Sequence, residues 1–119
     1  MQIKFSNDKP IFLQLADIIK SDIISGTFKA NDKLPSVREF ALNYSINPNT
    51  VQKALQILED DGLIVTDRTN GKFVADNSKQ IEIQKAKTIE QEIDSFFKKM
   101  NSLGLSNKEI KDLINNKGD

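Results

Sequence analysis

The sequence predicts a mainly α-helical fold with one small β-hairpin, and two observations carry that prediction. Apolar residues recur every three or four positions in three successive segments before Gly62. Two short β-rich runs separated by a turn cluster follow directly. After a joint at Asp76 to Lys79 the helical spacing returns. Residues 1–76 therefore read as one domain and residues 77–119 as a C-terminal helical segment.

The first helix runs from Pro10 to about Ser25. Pro10 suits a first turn, where its missing N–H is not needed. Ile11, Leu15, Ile18 and Ile19, with Phe12 and Ile23 beside them, form one face, and Gly26 stops the helix. Ser36 and Glu39 have capping-box spacing, so Ser36 opens a second helix with Val37, Phe40 and Ala41 on its apolar face. Asn47 and Pro48 are the cap and first turn of a third helix reaching about Asp61, its stripe being Val51, Ala54, Leu55 and Leu58. Leu63 to Thr66 and Lys72 to Ala75 are the strands, around the turn cluster Asp67 to Gly71. A turn of about four residues separates the second and third helices. This is the order of a winged helix-turn-helix.

In the C-terminal segment Ile89, Ile93, Phe96, Phe97, Met100 and Leu103 repeat at intervals of three or four. Leu103-Gly104-Leu105 breaks the run, and Ser106 with Glu109 forms a second capping box opening a short helix. The tail from Asn115 reads as frayed.

Composition narrows the function. The chain of 119 residues has no Cys and no His. That excludes disulfides, thiol nucleophiles, imidazole bases and zinc sites with N or S ligands. No cofactor and no metal are expected, nor an enzyme. Asp60 and Asp61 are adjacent and point different ways on a helix, so they make no carboxylate pair. No apolar run approaches the roughly 20 residues of a membrane span, and MQIKFSNDKP lacks a signal-peptide core. A cytoplasmic protein is the expectation. Lys+Arg and Asp+Glu are both 17, and residues 1–76 hold 9 basic and 10 acidic residues. Nucleic-acid binding then requires positive charge segregated onto one face.

The candidate DNA-reading residues follow from helix-turn-helix geometry, in which the second helix enters the major groove by its N-terminus. Asn47, Asn49, Thr50 and Gln52 are short and polar there, with Lys53 one step on. Asn and Gln can pair with adenine, and Thr can meet a thymine methyl or a phosphate. Arg38 lies on the second helix. Arg68, Asn70, Gly71 and Lys72 occupy the hairpin tip, where Arg or Lys suits the minor groove and Gly permits close approach. Asn-Gly is also simply a good hairpin turn.

These residues resemble the GntR family of regulators. The resemblance runs through Pro10-Ile11-Phe12-Leu13-Gln14-Leu15, Ser25-Gly26, Leu34-Pro35-Ser36-Val37-Arg38-Glu39-Phe40-Ala41 and Asn47-Pro48-Asn49-Thr50-Val51-Gln52-Lys53-Ala54-Leu55. It continues through Leu58-Glu59, Asp61-Gly62-Leu63-Ile64 and Gly71-Lys72-Phe73-Val74. It implies DNA contacts from Ser36 and Arg38, from the start of the third helix, and from Gly71. Lys53 stands where the family often has Arg, and Thr69 stands where its wing has a first glycine.

The short C-terminal part resembles the YtrA-like subfamily, which implies dimerisation in place of a conventional effector domain. The apolar stripe is independently too large to leave in water. The expected protein is a homodimeric regulator, a repressor of a neighbouring operon, with transporter genes suggested by the subfamily. It would bind double-stranded DNA at an inverted repeat. The alternative is a winged helix used for protein–protein contact, which a neutral charge would suit and an apolar exposed third helix would reveal.

Overall fold

The computed structural model describes residues 5–117. The N-terminal residues read as lacking a signal-peptide core lie partly outside this range, as does the end of the tail. Two compact units divide at Glu82 and Ile83.

The first unit contains α1 (Ile11–Ile24), α2 (Val37–Tyr44), α3 (Pro48–Asp60) and the antiparallel strands β1 (Ile64–Asp67) and β2 (Gly71–Val74). α4 (Ser78–Ser102) begins here and runs on into the second unit, which ends with α5 (Asn107–Lys117). The mainly α fold with one hairpin is the one the periodicity predicts. α4 starts two residues after Asp76, inside the stretch read as a joint. Asn77 explains this: its side chain accepts from the Gln80 N–H, and its carbonyl accepts from Ile81. The tail from Asn115 stays helical through Lys117 instead of fraying.

The core is built mainly from the predicted stripes, with Ala16 and Leu34 added and Phe12, Ile18 and Val37 only half-buried. Leu15, Ala16, Ile19 and Ile23 come from α1, Phe40 and Ala41 from α2, and Val51, Ala54, Leu55 and Leu58 from α3. Leu63, Ile64 and Val74 close it from the hairpin side. Each fully buried Leu or Ile contributes about 1.5–3 kcal/mol against leaving it in water, so the packing of α1 and α2 on α3 is what holds α3 in place. Ile11, read as part of the α1 face, is 41% exposed because it sits in the first turn.

Turn chemistry sets the helix directions. Ser45 ends α2 with φ 56°, and the Ile46 N–H returns to the Ala41 carbonyl at 3.0 Å. Only Ser45, Ile46 and Asn47 separate α2 from α3. Gly62, with φ +78°, ends α3, and a side chain there would both strain the backbone and press on Gln80.

The hairpin carries a third partner. Val74 N–H donates to the Asp32 carbonyl at 2.9 Å, Asn31 N–H to the Val74 carbonyl at 3.0 Å, and Leu34 N–H to the Lys72 carbonyl at 2.8 Å. The loop before α2 is thereby pinned along the far edge of β2.

Candidate nucleic-acid interface

α3 offers a polar outer surface. Its buried residues all point to the core, while Asn49, Gln52, Lys53 and Gln56 are exposed and Thr50 is half-buried. Asn47 caps the helix, its Oδ1 accepting from the Asn49 N–H at 2.8 Å. No acidic residue lies in the first turn. The positive end of the helix dipole therefore meets no side-chain charge, which suits a phosphate. The Lys53 ammonium lies over the Phe12 ring, 5.6 Å from its centroid, yet the residue remains exposed.

α2 begins with the predicted capping box. Ser36 Oγ accepts from the Glu39 N–H at 3.0 Å, and the Glu39 carboxylate accepts from the Ser36 N–H at 2.9 Å. These bonds to Ser36 hold the Glu39 carboxyl below its usual range. Arg38 follows two residues into the helix and is exposed.

The wing departs from the expected Asn-Gly turn. Asp67 pairs with Gly71, so Arg68, Thr69 and Asn70 form a three-residue loop, and Gly71 takes φ +107° at the start of β2. Asp67 organises the loop. Its carboxylate accepts from the Thr69 N–H, the Thr69 hydroxyl, the Asn70 N–H and the Asn70 side-chain amide. Lys72 donates to the Thr66 hydroxyl at 2.7 Å and lies 3.4 Å from the Glu59 carboxylate of α3. Thr66 also hydrogen-bonds Glu59, and that bond is the largest influence lowering the Glu59 pKa, with Lys72 adding to it. Glu59 thus ties the hairpin to α3.

A groove of about 360 Å³ gathers Ser36, Arg68, Asn70, Gly71 and Lys72, together with Lys33. Arg38 and the α3 residues Asn47, Asn49, Thr50, Gln52 and Lys53 are not among its lining. Sequence reasoning missed three residues here. Asp67 had a readable signal, an Asx residue before a loop. Glu59 and Lys33 had none, because their partners are distant along the chain or reached from a loop.

The carboxylates give a pH prediction. Backbone bonds from Thr69, Ser36 and Ser106 are the leading causes that depress Asp67, Glu39 and Glu109, and Thr66 is the leading cause for Glu59. A depressed folded-state pKa stabilises the fold above the unfolded value and loses that effect as pH falls through the folded one. Asp22, raised by burial, opposes them alone among these groups. The melting temperature is expected to stay level from pH 8 to 6, since no His or Cys side chain titrates there. It should fall below about pH 4. Calorimetry showing greater stability in acid would contradict these assignments.

The second unit presents the stripe read as a dimer surface. Phe96 and Phe97 meet edge to face with centroids 6.0 Å apart. Ile89, Ile93, Phe96 and Leu103 are exposed, while Phe97 and Met100 are half-buried. Leu103 lies just past the end of α4, where Gly104 turns the chain with φ +97°. Ile110 is turned inward, and Leu113 and Ile114 remain exposed. An open apolar groove of about 360 Å³ lies along Phe96, Met100, Leu105, Ile110, Leu113 and Ile114. That volume is at the small end of ligand pockets.

Among the described residues no group of three or more acidic side chains could hold a metal, and no helix is long and apolar enough to cross a membrane. Asp60 is exposed and accepts from the Gln56 amide.

Known proteins are similar to this chain in sequence and fold. The uncharacterized HTH-type transcriptional regulator YhcF of Bacillus subtilis (strain 168) is 36% identical over 110 residues, covering 92% of this chain and 91% of that protein. The HTH-type transcriptional repressor YtrA of the same organism is 38% identical over 92 residues, covering 77% of this chain and 71% of that protein. A GntR family transcriptional regulator from Listeria monocytogenes superposes with a TM-score of 0.84 at 34% identity, covering 94% of this chain and 98% of its own. The DNA-binding domain of AraR, solved in complex with operator ORR3, superposes with a TM-score of 0.56 at 26% identity, covering 61% of this chain and 88% of its own. Residues 12–74 match the family described as bacterial regulatory proteins, gntR family, and the chain belongs to that family.

Proposed function

We propose that this GntR-family transcription regulator is a homodimeric repressor that reads an inverted-repeat operator beside its own operon, in the bacterial cytoplasm. The single observation that carries DNA recognition is the exposed face of α3, polar from Asn49 to Gln56 and without an acid in its first turn. In this reading Asn47, Asn49, Thr50, Gln52 and Lys53 face the major groove. Ser36 and Arg38 meet the adjoining backbone or base edges, and Arg68, Asn70, Gly71 and Lys72 follow the minor groove. The operator complex of AraR, which shares this domain's fold, supports the same docking. An apolar exposed α3 would have favoured protein–protein contact, and α3 has no such face.

A second copy of the chain is the proposed occupant of the stripe on α4. Two subunits place two recognition helices on one side of the duplex, with half-sites about 10 bp apart or somewhat more. Repression is supported by YtrA, itself a repressor, and neighbouring transporter genes are the target that the subfamily resemblance suggests.

The test is a titration of the full chain against the promoter of its own operon at several salt concentrations. A specific complex that weakens steeply with salt is expected. No preference over random DNA would refute operator reading.

A further inference from the structure

We propose that Lys33, on the loop before α2, supplies a phosphate contact at the base of the wing. This rests on the DNA-binding reading above and adds a residue to it that no motif marked.

The loop is held as firmly as a strand. Lys33 bridges Phe73 across β2, and the neighbouring bonds from Val74 to Asp32 and from Leu34 to Lys72 bracket it at 2.9 and 2.8 Å. The side chain then runs beside the hairpin. Its Cε lies 3.4 Å from the position that a Cβ on Gly71 would occupy. Lys33 is exposed and lines the same groove as Ser36, Arg68 and Asn70.

Its charge is not taken up by a salt bridge among the described residues. The wing's own lysine, Lys72, has Glu59 at 3.4 Å to offset it. Glu39, which lines the same groove, accepts from the Ser36 N–H and stays ionised, with the Lys33 charge adding to the lowering of its pKa, yet it forms no salt bridge with Lys33. Among the described residues the ion pairs are Lys9 with Asp17 and Lys72 with Glu59, and Lys33 belongs to neither. The groove thus carries three cations, Lys33, Arg68 and Lys72, against the carboxylates of Glu39 and Asp67, and neither Lys33 nor Arg68 is in a salt bridge among the described residues. An ammonium carried on such a pinned backbone acts as a point charge toward phosphate oxygen.

The experiment measures operator affinity of the full chain by fluorescence anisotropy between 50 and 200 mM salt. Lys33→Met, Lys33→Gln, Lys33→Arg and Lys108→Met are compared with wild type. Removing one phosphate contact makes the slope of log K against log salt shallower by about 0.9, so both neutral variants should lose roughly 3.5-fold less affinity than wild type across this range. Lys33→Arg should keep the wild-type slope, and so should Lys108→Met, which removes the same charge from exposed α5. A wild-type slope in both neutral variants, with wild type itself steeply salt-dependent, overturns the assignment. Absence of DNA binding by wild type overturns the functional reading and the inference with it.

Discussion

Replacing Phe96 and Phe97 together with glutamate is expected to yield a monomer of 13.4 kDa by light scattering and to weaken operator binding by about 10²–10⁴-fold. Phe96 is 42% exposed and stacks only edge to face on a half-buried Phe97, so a single copy leaves much of this aromatic surface in water. Glutamate is a good helix former, and α4 should persist by circular dichroism. The affinity loss arises because two half-sites bound by linked recognition helices become two independent, weaker events. Binding to a single half-site should change little. A dimer that survives the double substitution would refute the proposed interface.

Arg38→Ala should weaken operator binding by about 5–150-fold, the equivalent of 1–3 kcal/mol for one good base or phosphate contact. The side chain is exposed and has no ion pair among the described residues, and alanine favours a helix at least as well as arginine. Its removal should therefore leave stability within about 0.5 kcal/mol. The check is a pair of measurements on one preparation, thermal melting and titration against operator and random duplexes. Equal loss on both duplexes assigns Arg38 to phosphate, and greater loss on the operator assigns it to a base edge. An unchanged operator affinity, or a melting temperature lowered by several degrees, would remove Arg38 from the interface.

The helices were legible because each stripe repeats at 3.6 residues and each start carries a cap. Ser36 with Glu39, Asn47 with Pro48, and Ser106 with Glu109 all form at the positions their spacing predicts. The wing was legible as a hairpin but not in detail. Asn70-Gly71 reads as a two-residue turn until Asp67 is seen to take up the donors of Thr69 and Asn70 and enlarge the loop. The contacts of Lys72 with Glu59 and of Lys33 with Phe73 link residues 13 and 40 positions apart, which no local pattern encodes.

Neutral composition also becomes intelligible. It had demanded a charged face that counting could not reveal. Around the candidate interface Glu39 and Asp67 accept hydrogen bonds from neutral donors and stay ionised, while Glu59 is offset by Lys72. Arg38 and Arg68 stay out of any such pairing among the described residues. The position of each charge on the surface, more than their number, decides which sign a ligand would meet.

The loop from Asn31 to Leu34 has one more consequence. A two-stranded ribbon leaves unpaired amides and carbonyls along both margins, and such margins recruit strands from other chains. Here the bonds from Asn31, to Asp32 and from Leu34 occupy the outer margin of β2, leaving β1, four residues long, as the open one. In the proposed role the wing can project toward a groove while offering little template for cross-chain strand addition, and loosening this loop would open a second margin to such addition.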